Sequence, residues 1–198
     1  MNEYINNNKF MQYHKFPEGK FNPKEDLGYI QVYTGEGKGK TTAALGQMMR
    51  ALGQGYTVLM IQFLKGAKDL GEYKFAQEKG NKMEIVQFSL PEPVDFNNPS
   101  TQDKYLAEQG LDYARQAMVY KRPDLLVLDE INPAMHHGLL SVNDVIQFLD
   151  NKHQQTEVIL TGKYAHPEVI EMADLVTIME PHKHFYREGF RARPGMEI

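Results

Sequence analysis

Along residues 28–198 short apolar runs alternate with longer amphipathic stretches, and the two lengths separate strands from helices. Strands are predicted at 29–33, 57–63, 83–88, 124–129, 157–160 and 175–179. The second of these, Thr57-Val-Leu-Met-Ile-Gln-Phe63, is nearly continuous in apolar residues, as a central parallel strand covered on both faces would be. Between the strands lie helical patterns. Over 40–54, Leu45, Met48, Met49 and Leu52 fall at i, i+3, i+4 and i+7, which predicts a buried stripe on a helix that stops at Gly53 and Gly55. Further helices are predicted at 69–79, from a Ser100 or Thr101 cap to about Tyr120, at 142–151 behind a Ser141 cap, and at 167–173 with Pro167 at its start. His136-His137-Gly138 reads as loop, and the Pro- and Asn-rich segment 89–100 reads as a long binding loop.

Regular alternation of this kind predicts an α/β fold, a doubly wound and mainly parallel sheet, with ligands at the carboxyl ends of the strands. Residues 1–27 break the pattern. They are polar, carry Asn6-Asn7-Asn8 and turns at Pro17 and Pro23, and read as an N-terminal extension to a single domain over 28–198. A disordered tail is the other reading, against which stand Tyr4, Ile5, Phe10, Met11, Tyr13 and Phe16 as apolar material for packing onto a surface.

Composition narrows the function classes. The 198 residues suit one core, and hydrophobic and charged contents of 41% and 24% are ordinary for a globular protein. No apolar run approaches the roughly 20 residues that span a bilayer, and the N-terminus lacks the basic-then-apolar order of a secretory signal, so a cytoplasmic protein with no membrane partner is expected. The absence of cysteine excludes disulfides, thiolate metal sites and a Cys nucleophile, and a net charge of −4 gives no general attraction to nucleic acid. The histidine pairs have no zinc-ligand spacing and read as surface or hydrogen-bonding groups.

The chemistry concentrates where the first strand meets the first helix, in Thr34-Gly-Glu-Gly-Lys-Gly-Lys-Thr-Thr42. Glycines there allow backbone N–H groups to turn around an anion, the helix N-terminus adds partial positive charge, Lys40 a full one, and the Thr41 hydroxyl can bind Mg²⁺. A nucleoside triphosphate is the expected ligand. The usual pattern G-x-x-x-x-G-K-[ST] would need glycine at Thr34; here Gly35 comes only three residues before Gly39, so the cradle is one residue short. The strand 124–129 ends in Asp129-Glu130, hard oxygen donors that with Thr41 would complete a Mg·ATP site, with either carboxylate able to serve. Near the C-terminus, Lys183, Arg187, Arg191 and Arg193 offer cations for phosphate or a partner's carboxylates, or a solvated basic tail.

Taken together, the short loop through Ala44, Val127-Leu-Asp-Glu-Ile131, Leu160-Thr-Gly162, Glu171-Met-Ala-Asp174 and the tail Lys183-His-Phe-Tyr-Arg-Glu-Gly-Phe-Arg-Ala-Arg-Pro-Gly-Met-Glu197 resemble the P-loop class of corrinoid adenosyltransferases. The resemblance covers roughly residues 28–198. It implies a RecA-like fold, a homodimer, and transfer of the 5′-deoxyadenosyl group of ATP to the Co(I) of a corrinoid, cobalamin or a precursor, with release of triphosphate. By position it also implies a triphosphate held with its γ-phosphate deep among Gly35, Glu36, Gly37, Lys38, Gly39, Lys40, Thr41 and Thr42. Mg²⁺ would sit at Thr41 and the Asp129/Glu130 pair, and an electron-donating reductase or flavodoxin-like protein would be a partner. Lys40, Thr41 and Glu130 are the residues expected to act on the reacting ATP. Relatives use aromatic side chains, a tryptophan among them, to exclude the corrinoid's lower axial ligand and ease reduction of Co(II). This chain has no tryptophan; Phe88 and Phe96 are the substitutes by location, and Glu36 stands where asparagine is frequent. Two other readings stay open: a P-loop kinase or ATPase yielding ADP, and a nucleotide-dependent regulatory protein whose basic tail touches RNA.

Overall fold

The computed structural model describes residues 26–197. In chain order the elements are β1 (Ile30–Thr34), α1 (Lys40–Gly53), β2 (Val58–Gln62), α2 (Gly71–Lys79), β3 (Met83–Gln87), α3 (Thr101–Tyr120), β4 (Leu125–Asp129), α4 (Ile131–His136), α5 (Val142–Asp150), β5 (Glu157–Thr161), α6 (Pro167–Met172) and β6 (Leu175–Ile178). The strands form one sheet in the order β3-β2-β4-β5-β1-β6, and every pairing is parallel. This bears out the doubly wound reading and extends "mainly parallel" to the whole described sheet. The extension read at 1–27 lies outside the described residues except for its last two.

Side chains alternate across the strands and so build a core on each face of the sheet. Leu59 and Ile61 of β2 face one way, against Leu111 and Ala114 of α3 and Phe148 of α5. Val58 and Met60 face the other, against Ala44 and Met48 of α1 and Ala76 of α2. The central strands β2 and β4 are buried at every position, whereas edge strand β6 is exposed along its length. Because β5 lies between β1 and β4, the exits of β1 and β4 are one strand apart, and Thr161 at the end of β5 stands between them.

Three sequence expectations need correction. On α1 the buried residues are Lys40, Ala44, Met48 and Ala51, while Met49 is 68% exposed and lines a cleft; Leu45 and Leu52 are half-buried, packing against the core and lining the same cleft. His136 belongs to a helix, α4, and not to a loop; Pro133 fits its first turn, where a missing N–H leaves no intrahelical bond unmade. Ser141 stands at the N-cap of α5 but makes no side-chain cap bond. Ser100, by contrast, forms a full capping box: its hydroxyl accepts from the Asp103 amide at 3.1 Å, and Asp103 accepts from the Ser100 amide at 3.0 Å.

Candidate active site

The loop between β1 and α1 is held from behind by the chain leaving β6. Gly37 N donates to Met179 O at 2.7 Å, and Met179 N donates to Thr34 O at 2.8 Å. A Cβ at Gly35 would come 2.5 Å from Met179 O, and one at Gly37 would come 2.8 Å from it, so packing alone requires these glycines. Gly35 and Gly39 also have φ of 97° and 126°, backbone that side chains disfavour. Thr34, which takes the place of the usual first glycine, ends β1, and its hydroxyl accepts from the Ala165 amide at 3.3 Å.

Lys40 opens α1 almost fully buried, with Nζ donating to Gly35 O at 2.8 Å and Gly37 O at 2.7 Å. It bridges the loop from inside. Burial holds its pKa below the ordinary lysine value, with Glu130 pulling the other way. Glu36 and Lys38 turn outward; Glu36 pairs with Lys163 at 2.7 Å, a solvated contact between groups both more than 40% exposed and so worth little to stability.

Asp129 is wholly buried at the end of β4 and fully engaged. Its Oδ1 accepts from Thr41 Oγ1 at 2.9 Å and Thr161 Oγ1 at 2.7 Å; its Oδ2 accepts from Lys65 Nζ at 2.8 Å and Gln62 Nε2 at 3.2 Å. Thr41 and Asp129 are thus brought together as the sequence predicts, with a lysine beside them that sequence reasoning missed. Glu130 follows in the left-handed region, φ 63°, its amide donating to Thr161 Oγ1 at 3.0 Å. Burial, and then the Asp129 charge, push its carboxyl pKa up. Gly162, with φ 119°, lets β5's exit pass close: a Cβ there would lie 2.2 Å from Pro133 Cδ and 3.1 Å from Glu130 Oε2. The Leu160-Thr-Gly162 motif therefore has a job at each of its last two residues.

Residues 36–42 of the loop border a cleft of about 1040 Å³. Beyond the loop, Lys65, Lys163 and Arg187 line it as cations and Glu72, Glu130 and Glu197 as carboxylates, with Leu45, Met49, Leu52 and Phe75 an apolar wall. Such a mixture suits a ligand with a polyanionic end and an apolar or aromatic one. Of the C-terminal cations, Arg187 reaches this cleft, while Arg193 is committed to Glu197 at 3.0 Å and holds that carboxyl at about 2. Phe88 packs against α3, its ring 5.5 Å from Tyr113 and its Cβ close to Gly110. Phe96 is 41% exposed and stacks on His137 at 4.1 Å, while His136 stacks on Tyr164 at 4.4 Å. No group of three metal-ligating His, Asp or Glu side chains occurs among the described residues.

The comparisons with known proteins agree with one another. Among solved structures the chain resembles the flagellar accessory protein FlaH from Methanocaldococcus jannaschii, with a TM-score of 0.51 at 11% identity over 77% of this chain and 72% of that one, a likeness of fold alone that bears out the RecA-like P-loop arrangement. In sequence it is 36% identical over 177 residues to a corrinoid adenosyltransferase from Sinorhizobium sp., covering 88% of this chain and 82% of that protein. It is 34% identical over 176 residues to one from Pseudomonas aeruginosa, covering 88% and 86%. A family model, ATP:corrinoid adenosyltransferase BtuR/CobO/CobP, matches residues 26–198. With the shortened phosphate loop, the β4 carboxylates and the C-terminal motif all inside that match, the chain belongs to the ATP:corrinoid adenosyltransferase family.

Proposed function

We propose that this protein transfers the 5′-deoxyadenosyl group of ATP to the Co(I) centre of a corrinoid and releases inorganic triphosphate, serving adenosylcobalamin biosynthesis or salvage. The observation that carries the reading is the short loop, braced by Met179 and bridged by Lys40, opening onto a cleft with an apolar wall. The electron pair of Co(I) forms the Co–C bond as the C5′–O bond breaks, and the pair of the C5′–O bond leaves on the triphosphate oxygen. Since cobalt is the nucleophile, the protein needs no base and no nucleophile of its own. Its task is to hold the triphosphate and to aim the 5′ carbon.

Gly35 to Thr42 then cradle the phosphates, with Lys40 turning from its loop carbonyls to the anion. The hard oxygens of Thr41 and Asp129, already within hydrogen-bond distance of each other, fit a Mg²⁺ ion, with Glu130 at the cleft's edge. Bound there, the ion would neutralise charge on the departing triphosphate. Asp129 orients the Thr41 hydroxyl, and Thr161 fixes Asp129 in turn.

Phe96, exposed on the loop 89–100, is the aromatic side chain we assign to the corrinoid's lower face; Phe88, packed on α3, serves the core. The homodimer implied by the resemblance finds apolar surface in Leu175, Val176 and Ile178 of edge strand β6, which are exposed. A cytoplasmic location, a reductase or flavodoxin-like electron donor, and a single domain over 28–198 with residues 1–27 covering the corrinoid complete the proposal. No described helix is long and apolar enough to cross a membrane. The test is an anaerobic reaction of the protein with ATP, Mg²⁺ and chemically reduced cob(I)alamin, followed by visible spectrum. Appearance of a light-sensitive adenosylated corrinoid supports the proposal; an unchanged corrinoid spectrum under conditions where ATP binds overturns it.

A further inference from the structure

The chain leaving β2 puts Lys65 beside the Thr41–Asp129 pair. Its Nζ donates to Thr41 Oγ1 at 3.0 Å and to Asp129 Oδ2 at 2.8 Å. These are the two side chains assigned above to the divalent ion, and the lysine uses lone pairs that the ion would need. An ammonium and a metal ion with its oxygens about 2.1 Å away cannot share so small a space. One must leave when the other arrives.

The surroundings allow the lysine to be the one that moves. Its side chain is 26% exposed and lines the cleft, so a path for the ammonium is open. Its backbone is anchored before it by Phe63 N donating to Asp129 O at 3.0 Å, and after it by the next two residues. Gly66 packs so closely on the next loop that a Cβ there would come 2.3 Å from Leu90 O, and Gln87 Nε2 donates to Ala67 O at 3.0 Å. A fixed root carrying a flexible four-carbon stem lets the charge swing without rebuilding the loop. In its present place Lys65 is the only cation paired with buried Asp129 among the described ion pairs.

We propose that Lys65 is a displaceable cation: without ligand it occupies the place of the divalent ion between Thr41 and Asp129, and when a triphosphate enters, alone or with its metal, it passes onto the phosphate oxygens as the second lysine of the triphosphate clamp. This rests on the assignment of Thr41 and Asp129 to the ion and of the loop to the triphosphate. It makes Lys65 a catalytic residue, touching the leaving group. It also gives the empty site an internal counter-ion, so that Mg²⁺ without nucleotide has to compete for its ligands.

The test is calorimetric titration of the full chain, wild type, Lys65→Met and Lys65→Arg, first with inorganic triphosphate in the presence of chelator and then with Mg²⁺ alone. A charged hydrogen bond lost from the clamp should weaken metal-free triphosphate binding by roughly tenfold or more in Lys65→Met, with Lys65→Arg restoring most of it. Mg²⁺ alone should bind Lys65→Met several-fold more tightly than wild type. Unchanged triphosphate affinity, or no gain for Mg²⁺, in Lys65→Met overturns the proposal. Should that variant fail to fold, a crystal structure of the wild type with Mg²⁺ and triphosphate decides: Nζ on a phosphate oxygen supports displacement, and Nζ still on Asp129 refutes it. If the wild type binds no triphosphate at all, it is the assignment of the phosphate site that fails.

Discussion

Gly37→Ala isolates the contact that shapes the phosphate loop. Gly37 does not occupy the left-handed region, so alanine meets no conformational obstacle of its own. What it meets is backbone: the new Cβ would lie 2.8 Å from Met179 O and 2.9 Å from Met179 C, and no rotamer change relieves a clash with a main chain. The loop and the chain leaving β6 must separate, and the 2.7 Å bond from Gly37 N to Met179 O weakens or breaks. A lost hydrogen bond costs about 1 kcal/mol and overpacking about 1–3 kcal/mol. The sum of about 2–4 kcal/mol corresponds to a fall in Tm of roughly 4–16 °C for a chain of this size. Since an ångström of misplacement near reacting groups can cost on the order of 100-fold, ATP affinity and adenosyl transfer should fall by about tenfold or more. Scanning calorimetry and an ATP titration measure both. Gly46→Ala is the matched control: it lies inside α1, a Cβ there meets nothing within 4 Å, and stability should rise by about 0.5–1 kcal/mol. A Gly37→Ala protein with wild-type Tm and ATP affinity would show that β6 does not brace the loop.

Lys40→Ala should reduce adenosyl transfer by roughly 100-fold or more, as loss of a charge from a preorganised anion site does, with ATP binding by calorimetry falling in parallel. Glu130 carries a raised carboxyl pKa, so the folded protein binds that proton more tightly than the unfolded chain; stability of the unliganded protein is therefore greatest at low pH in this respect and is lost as pH rises from the ordinary value of 4.5 through the raised one. Urea titrations across that window should show the decline in wild type and its disappearance in Glu130→Gln. Ser100→Ala removes half of the α3 capping box and should cost about 1 kcal/mol in the same titrations. Phe96→Ala should slow the reaction at least about tenfold when Co(II) must be reduced in the assay and much less when Co(I) is supplied, because its assigned work is to favour the reducible form; equal losses in both assays would contradict that assignment.

The sheet was legible because parallel strands with both faces covered leave unbroken apolar runs, and the loop from β1 into α1 was legible because phosphate binding needs glycine, lysine and threonine in a fixed local order. What escaped is what depends on packing across the chain. Of the Leu45, Met48, Met49 and Leu52 stripe only Met48 is fully buried, because period does not say where protein ends and a cleft begins opposite a helix face. Helix α4 spans six residues, too few to show periodicity, and contains Pro133, which reads as a breaker unless it falls in a first turn. Lys65 looked like any lysine in a loop; its partner Asp129 is 64 positions further on, and only the pairing of β2 with β4 brings them together. Its position just past the carboxyl end of a central strand was the available signal. Thr161 belongs to the Leu160-Thr-Gly162 motif, yet its role in holding Asp129 follows from β5 lying between β1 and β4.

The most direct test of the central claim is the identity of the phosphate product. With the C5′–O bond of ATP breaking and the entire triphosphate leaving, ³¹P NMR of an anaerobic single turnover with Co(I) corrinoid should show inorganic triphosphate appearing in step with the adenosylated corrinoid. ADP and orthophosphate in step with turnover, with no triphosphate formed, would contradict it and make the loop the site of an ordinary phosphoryl transfer.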